Sequence, residues 1–278
     1  MRWTRGYQSD NVDDRRDDGP MRAGGGGPGL GVLMWLFSRF GLPGVLIGGA
    51  LLYFAGDLGL GGQSSTMSER GQEQGEESVS SATDDPEREA VAFVSFVLDD
   101  VQKHWAEYFA SQQKRYTLAR MILFRGETNS ACGLGQRAMG PFYCPRDRNV
   151  YIDLAFYREL KDRFGAPGDF AQAYVIAHEV GHHVQHLLGL DSGGGSVALE
   201  LQADCLAGVW GNSTERRSLL ESGDVEEALT AAAAIGDDKL QKQETGVVRP
   251  ETFTHGSSQQ RVQAFKKGFR SGQFEACQ

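Results

Sequence analysis

The sequence predicts an α+β fold that is rich in helix and contains one small sheet. Apolar residues recur at helical spacing from Asp85 to about Gln113, and again from Phe170 onward. Short β-branched and aromatic runs lie between these stretches, at 118–124 and on both sides of residues 146–148, and they predict a strand and a β-hairpin. The roughly 190 residues after position 85 are enough for one compact domain.

Composition divides the chain into four predicted segments. Residues 1–29 are polar and glycine-rich, which predicts a disordered cytoplasmic segment. Residues 30–56 are mostly apolar, with Arg39 as their one charged residue, and predict a transmembrane signal anchor; a buried hydrophobic hairpin is the alternative. Residues 57–85 are rich in Gly, Ser, Gln and Glu and predict a flexible linker. Residues 86–278 are the predicted compact domain.

The two flanks of the apolar segment differ in charge. Arginines crowd the N-terminal flank, whereas residues 57–85 contain seven acidic residues and Arg70 as their one basic residue. The positive-inside rule therefore predicts a single-pass membrane protein with a cytoplasmic N-terminus and its domain in the periplasm or at the cell exterior. No small-residue cleavage site follows the apolar run closely, which favours an uncleaved anchor.

Four cysteines agree with this oxidising compartment. Cys132 and Cys144 are twelve residues apart across a glycine-rich loop and form a natural local pair, which leaves Cys205 and Cys277 as the second pair. Sequence alone allows three connectivities. A cysteine-based zinc site is the weaker interpretation, because no C-x-x-C spacing occurs.

Charge argues against one class of partner. The net charge is −9, and no cluster of Lys and Arg with interleaved aromatic residues occurs, so the sequence does not favour binding of nucleic acid. The histidines are more informative than the charge, because four of the six lie between positions 178 and 186.

The stretch with recognisable chemistry is H-E-V-G-H at 178–182. Two histidines four residues apart on a helix project from one face, so the rings of His178 and His182 can reach one metal ion. Glu179 lies between them and can hold a water that the metal acidifies. An H-E-x-x-H string also arises by chance, so its surroundings decide whether it is functional.

The surroundings of the motif predict a helix of about twenty residues. Apolar residues repeat at helical spacing from Phe170 to Val184. Asp169 and Gln172 predict a capping box at the start of this helix, and Gly189 predicts its end.

Glu200 is the candidate for the third protein ligand that a catalytic zinc requires. Glu200 and Asp204 are four residues apart on a second predicted helix, which would pack antiparallel on the first. Asp204 would then accept the free N–H of a ligand histidine. A solvated helix face is the alternative for such a pair. His186 lies about 12 Å along the helix from His178, too far to share a tetrahedral centre.

H-E-x-x-H followed by E-x-x-x-D is the signature of gluzincin metallopeptidases, which this sequence resembles. More closely, the chain is similar to the bacterial "putative neutral zinc metallopeptidase" family, in which a short N-terminal segment and one membrane helix precede a small zincin domain. The matching pieces cover both ends and most of the chain: M-R-W at 1–3, S-D-N-V-D-D-R-R at 9–16, the stretches 178–183 and 200–205, and T-H-G-S-S-Q-Q-R at 254–261.

The resemblance implies a zincin-like fold with one Zn²⁺ per chain and a peptide or protein substrate, whose backbone would pair with an edge strand of the predicted hairpin. Together with Glu179 as general base, it predicts a membrane-anchored zinc endopeptidase. A non-proteolytic, zinc-binding, membrane-tethered interaction module is the alternative, although an intact Glu179 argues against it. A metal-dependent hydrolase of another substrate, such as cell-wall peptide, is a third hypothesis. A set of two histidines and one carboxylate suits zinc best among divalent ions.

The region after the second helix supplies two further candidates. Ser257 and Gln260 predict a capping box for a last helix that runs through Phe269. His255 precedes that helix, and the resemblance implies that it donates to the oxyanion of the tetrahedral intermediate, with a positioning or capping role as the alternative. Arg261 would orient Glu200 or the substrate.

Two further predictions concern structure alone. Residues 224–240 predict one alanine-rich packing helix. His104 has no metal-ligand partner at useful spacing, and it is interpreted as a surface or core histidine.

Overall fold

The computed structural model describes residues 1–18, 85–136, 139–191 and 196–278. The predicted membrane anchor and nearly all of the predicted linker lie outside these residues. Within the described part of the chain, no helix has the length and apolar composition needed to cross a bilayer.

Seven α-helices form most of the described structure, and they confirm the predicted α+β class together with a small sheet. Their bounds are α1 Arg88–Ser111, α2 Ala155–Asp162, α3 Asp169–Leu188, α4 Val197–Arg216, α5 Asp224–Ala234, α6 Asp237–Thr245 and α7 Ser258–Ser271. Two 3₁₀ turns, Pro250–Thr252 and Phe274–Cys277, flank α7 along the chain.

In the described part of the chain, six short strands form two sheets: β1 Val12–Asp14, β2 Arg120–Phe124, β3 Glu127–Ser130, β4 Gly133–Gln136, β5 Phe142–Cys144 and β6 Asn149–Asp153. The larger sheet has the order β1-β2-β6-β5, in which β1, β2 and β6 are parallel and β5 pairs antiparallel with β6. Strand β5 is therefore an edge strand, and β5 with β6 is the hairpin that the sequence predicts. Strands β3 and β4 form a separate two-stranded sheet.

The N-terminal residues are part of the fold, so the prediction of disorder over residues 1–29 is wrong for residues 1–18. Strand β1 pairs with β2, placing Val12 opposite Met121. Arg16 is buried and forms ion pairs with Asp14, Asp85 and Glu87. The prediction of disorder was based on the small number of apolar residues in this segment. Backbone pairing with β2 and the buried ion pairs of Arg16 stabilise the segment without a large apolar surface.

This packing has a consequence for topology. Residues 1–18 and 85–278 belong to one compact unit, and one folded unit lies in one compartment. The predicted membrane topology stays a prediction, and the pairing of β1 and β2 bears on it because it joins the N-terminal residues to the rest of this unit.

Helix α3 lies in the centre of the core and packs against α1, α4 and α5. Its apolar face is fully buried, and the ring of Phe170 stacks on Trp210 of α4 at 5.7 Å between centroids. Helices α3 and α4 approach closely where Gly181 faces Ala203, since a Cβ at position 181 would lie 3.1 Å from the carbonyl oxygen of Ala203. This close approach brings the H-E-x-x-H face of α3 next to the start of α4.

Two local predictions are wrong, and packing explains both. The capping box at Asp169 does not form: Gly168 is the N-cap, and the carboxylate of Glu227 accepts the N–H of Phe170 at 3.1 Å. The helix predicted over residues 224–240 is broken into α5 and α6. The break lies at Gly236, whose backbone is extended (ψ 141°) where it caps α6, and Ser258 at the start of α7 packs so closely against it that no Cβ would fit.

Both predicted disulfides are present. Cys132–Cys144 joins the β3–β4 turn to β5, and Cys205–Cys277 joins α4 to the 3₁₀ turn Phe274–Cys277. The capping box predicted for Ser257 and Gln260 is also present at the start of α7.

Candidate metal centre

The side chains of His178, His182 and Glu200 meet between α3 and α4. Nε2 of His178 lies 3.2 Å from Nε2 of His182 and 3.2 Å from Oε2 of Glu200. Nε2 of His182 lies 3.5 Å from Oε1 of Glu200. Among the described residues, two groups of His, Asp or Glu side chains have ligand atoms close enough together to bind one cation, and these three residues form one of the two groups.

The spacing of these atoms fits a tetrahedral zinc ion. Zinc binds imidazole nitrogen at about 2.0–2.1 Å, and two ligand atoms at that distance in a tetrahedral arrangement lie about 3.4 Å apart. The three observed separations, 3.2, 3.2 and 3.5 Å, agree with that value. The set supplies two nitrogens and one carboxylate oxygen and leaves the fourth tetrahedral position open, which is the composition of a catalytic rather than a structural zinc site.

Asp204 fixes the ring of His178. Its Oδ1 lies 2.8 Å from Nδ1 of His178, which places the proton on Nδ1 and turns Nε2 toward His182 and Glu200. Burial alone lowers the pKa of His178, but the carboxylates of Asp204 and Glu200 outweigh it and raise this pKa to about 10. The sequence predicts this role of Asp204 from its position one turn after Glu200.

Asp204 is itself fully buried and is neutralised by Arg261. Nε and Nη2 of Arg261 donate to the two oxygens of Asp204 at 2.8 and 2.9 Å, and the hydroxyl of Tyr174 donates to Oδ1. Burial raises the pKa of Asp204, but Arg261 and His178 hold it at about 2. Arg261 therefore acts on His178 through Asp204, whereas the sequence predicts that it orients Glu200 or the substrate.

Gln185 holds the second ligand histidine. Its Oε1 lies 2.8 Å from Nδ1 of His182, so that Nε2 of His182 faces Glu200. The sequence analysis missed Gln185 and Tyr174, because neither residue type marks a metal site. Their positions do carry a signal: Tyr174 is four residues before His178, and Gln185 is three residues after His182, so each lies one turn from a ligand on the same helix.

Glu179 and the ligand set border the same cleft. The cleft has a volume of about 700 Å³ and is lined by parts of β5, α2, α3, α4 and α6. Glu179 is 7% exposed and lines the cleft, as its chain neighbour His178 does. The walls also include apolar side chains: Phe142, Phe156, Phe164, Val175 and Leu240.

His255 also borders this cleft, and Asp237 holds it there. Oδ2 of Asp237 accepts the backbone N–H groups of Thr254, His255 and Gly256 at 2.7, 2.6 and 3.0 Å. Nδ1 of His255 lies 3.2 Å from Oδ1 of Asp237 and 2.9 Å from the hydroxyl of Thr254. A proton on Nδ1 satisfies both oxygens and leaves Nε2 as the free ring nitrogen. Sequence reasoning missed Asp237, because an acidic residue in the first turn of a helix is ordinary.

His183 and His186 are outside the ligand group. Nε2 of His183 donates to the carbonyl of Thr117 at 2.6 Å, and Nδ1 accepts from the hydroxyl of Tyr143 on β5 at 2.9 Å. Burial lowers the pKa of His183 to about 4, so the ring stays neutral and joins the edge strand to α3. Nδ1 of His186 lies 2.7 Å from the carboxylate of Asp191.

The second group of acidic side chains consists of Asp169, Asp224 and Glu227. The ammonium group of Met1 lies among them, 2.6 Å from Asp169 and 3.4 Å from Asp224. The ammonium group of Met1 thus supplies positive charge beside these carboxylates.

Comparison with known proteins identifies the family of this chain. YpfJ of Escherichia coli is 45% identical over 291 residues, covering 100% of this chain and 98% of that protein. Rv2575 of Mycobacterium tuberculosis is 43% identical over 182 residues, covering 58% of this chain and 62% of that protein. No solved structure gives a significant match. A family model described as "Putative neutral zinc metallopeptidase" matches residues 1–278, and the chain therefore belongs to that family.

Proposed function

We propose that this protein is a membrane-anchored, zinc-dependent endopeptidase in which Glu179 is the general base. One observation carries the proposal. His178, His182 and Glu200 have the separations of a three-ligand zinc site, and they border a cleft that also contains Glu179. A site that held zinc only for structure would have a fourth protein ligand and would not need a carboxylate beside it.

In the proposed reaction, the metal ion and the side chains of the protein have different roles. His178, His182 and Glu200 would hold the zinc ion, which when bound would polarise a carbonyl group and lower the pKa of water toward neutrality. Glu179 then takes the proton from the attacking water and passes it to the leaving amine. Because Glu179 is largely buried, bulk water does not compete for that proton.

His255 is proposed to act as an imidazolium: its Nδ1–H is held by Asp237, and its Nε2–H donates to the carbonyl oxygen on which negative charge develops. The support for this role is its position on the cleft and the contact of Nδ1 with Asp237, which leaves Nε2 free. Asp237 is a positioning residue in this proposal, because it acts through the ring of His255.

Strand β5 is proposed to bind the substrate backbone. It is the edge of the larger sheet, and Phe142 and Tyr143 of this strand line the cleft. An extended peptide laid along that edge would gain backbone hydrogen bonds, as an added strand does. The apolar cleft wall beside β5 would then accept substrate side chains.

The compartment is also a proposal. The two disulfides favour an oxidising environment, so we propose that the catalytic unit lies outside the cytoplasm and is attached to the membrane through residues 30–56. Residues 1–18 must then lie on the same side as the catalytic unit. Reporter fusions before residue 1 and after residue 278 test this arrangement: both should report the external side, and a cytoplasmic signal from the N-terminal fusion would contradict it.

The activity is tested with the full chain, loaded with zinc, on an unfolded protein substrate. Glu179→Gln should retain zinc and lose activity by about 10²–10⁴-fold, which is the usual contribution of general acid–base catalysis. Glu244→Gln is the matched control, because Glu244 lines the same cleft but is mostly exposed and pairs with Arg163. Its kcat should stay within about twofold of wild type, as expected for an exposed ion pair.

Two results would contradict the proposal. If Glu179→Gln cleaved as fast as wild type with equal zinc content, Glu179 would not be the base. If wild type bound zinc and cleaved no peptide in a broad substrate library, the interaction module would become the better interpretation.

A further inference from the structure

Gln185 is a buried side chain with every polar group of its amide in use. It is 1% exposed. Its Oε1 faces Nδ1 of His182 at 2.8 Å, while its Nε2 donates to the carbonyl of Leu199 at 2.7 Å and to Oε1 of Gln202 at 3.0 Å. If the amide were reversed, its oxygen would face two other oxygens. The orientation is therefore fixed, and Gln185 can only accept from His182.

The orientation of Gln202 is fixed in the same way. Its Nε2 donates to the backbone carbonyl of Cys277 at 3.1 Å, and its Oε1 accepts from Gln185. Cys277 is bonded to Cys205, which lies three residues after Gln202 on α4. The disulfide thus holds the carbonyl of Cys277 against the helix that carries Gln202.

These contacts form one chain of hydrogen bonds with a single direction. The ring of His182 donates to Gln185, Gln185 donates to Gln202, and Gln202 donates to the carbonyl of Cys277. The end of the chain is a backbone carbonyl, which can only accept. The carbonyl of Cys277 fixes the orientation of the Gln202 amide, and Gln202 fixes that of the Gln185 amide. The proton of a neutral His182 therefore belongs on Nδ1, and its Nε2 lone pair points to Glu200.

We propose that the 3₁₀ turn Phe274–Cys277 sets the tautomer of His182 through Gln202 and Gln185, which are positioning residues for zinc binding. The inference rests on the zinc site of the proposed function. It adds a second means of orienting a ligand, since His178 is held by the charged pair of Asp204 and Arg261, whereas His182 is held by two neutral amides. The proposal also connects the Cys205–Cys277 disulfide to the metal site, although neither cysteine is among the three proposed ligands.

The test is zinc affinity, measured by competition with a chelator on the full chain without substrate. Gln185→Met keeps the length of the side chain and removes its acceptor, so zinc binding should weaken by about 10–100-fold, as for other groups that orient metal ligands. Gln202→Met should weaken it in the same direction by a smaller factor, because Gln185 keeps its bond to Leu199. Gln102→Met is the matched control: Gln102 is also 1% exposed, and it bonds Ala119 on another part of the fold.

A tautomer measurement separates positioning from general damage to the fold. Nitrogen NMR of the zinc-loaded protein should show a protected Nδ1–H on His182 in wild type and Gln102→Met, and a rapidly exchanging one in Gln185→Met. Equal zinc affinity and equal protection in wild type and Gln185→Met would overturn the inference while leaving the zinc site intact. Failure of wild type to bind zinc would instead overturn the proposed function.

Discussion

Asp237 holds His255 by two bonds at once, accepting its backbone N–H at 2.6 Å and facing its Nδ1 at 3.2 Å. The ring is half exposed, so this carboxylate and the hydroxyl of Thr254 are what orient it toward the cleft. His255 and Asp237 should therefore behave as one catalytic unit.

His255→Leu is expected to lower kcat by about 10²–10³-fold, the usual cost of one lost oxyanion donor, without loss of zinc. Asp237→Asn should lower kcat less, by about tenfold. The double variant should be no slower than His255→Leu, because both changes act through the same ring. Steady-state kinetics on one peptide gives all three values.

Asp238→Asn is the control for this series. Asp238 is the next residue after Asp237, but its carboxylate accepts hydrogen bonds from the backbone N–H and the hydroxyl of Ser258. It should change stability and leave kcat near the wild-type value. Multiplicative losses in the double variant would show that Asp237 and His255 act independently, contrary to this prediction.

The buried pair of Arg261 and Asp204 predicts an effect on stability. Arg261→Met removes the guanidinium that donates to both oxygens of the fully buried carboxylate of Asp204 and leaves His178 as its one charged partner. The free energy of unfolding should fall by about 3–5 kcal/mol, as for other buried pairs that lose one partner. Urea unfolding of the metal-free protein measures this change.

Arg217→Met is the comparison variant, because Arg217 also contacts both oxygens of an aspartate, Asp100, but is 39% exposed. Its loss should cost no more than about 1 kcal/mol. Equal losses in the two variants would mean that Asp204 has another source of neutralisation.

The sequence predicts most of the candidate site because helical spacing places side chains on one face. His178, His182, Glu200 and Asp204 lie at four-residue intervals on two helices, so their convergence needs only that α3 and α4 pack together. The caps at Gly189 and Ser257 were predictable for the same reason, since a cap depends on residues within one turn.

What the sequence could not predict depends on residues far apart in the chain. Gly168 replaces Asp169 as the N-cap because Glu227 approaches from α5, and Gly236 breaks a helical pattern because Ser258 approaches from α7. Gln185 is polar yet buried, since its partners come from α4. No local pattern records such contacts, because propensity is a weak guide when tertiary packing competes with it.

Strand β1 was missed because it is only three residues long and gains its partners from β2, more than a hundred residues later. Its anchor is Arg16, whose guanidinium donates to Asp14, Asp85 and Glu87. The cluster attaches the N-terminal segment to the start of the catalytic unit, so it should contribute to the stability of both.

Arg16→Met is expected to lower the free energy of unfolding by about 1–3 kcal/mol, the usual range for lost hydrogen bonds to charged groups. Arg15→Met is the matched control: Arg15 pairs with Asp13 and is one-third exposed, so its loss should cost less than about 1 kcal/mol. Hydrogen exchange should also show faster exchange of the β1 amides in Arg16→Met. An unchanged melting temperature and unchanged exchange would contradict the role of this cluster.

The last prediction concerns acid stability and depends on His104, which is remote from the metal site. Burial, with a smaller contribution from the positive charge of Arg217, lowers the pKa of His104 to about 4. Its pKa in an unfolded chain is about 6.5. Between these two values the unfolded chain binds a proton that the folded chain does not, so the free energy of unfolding falls as the pH falls.

The contribution of His104 should thus be complete above about pH 6.5 and decrease from there toward pH 4, by at most about 1.4 kcal/mol for each pH unit. His104→Gln removes the titrating group, so the variant should lose less stability than wild type over this window. Urea unfolding of both proteins from pH 4.5 to 7.5 gives the comparison, and the difference between them isolates His104 from other groups, such as His183, whose pKa is also lowered to about 4. Parallel curves for the two proteins would mean that His104 is protonated equally in the folded and unfolded chains.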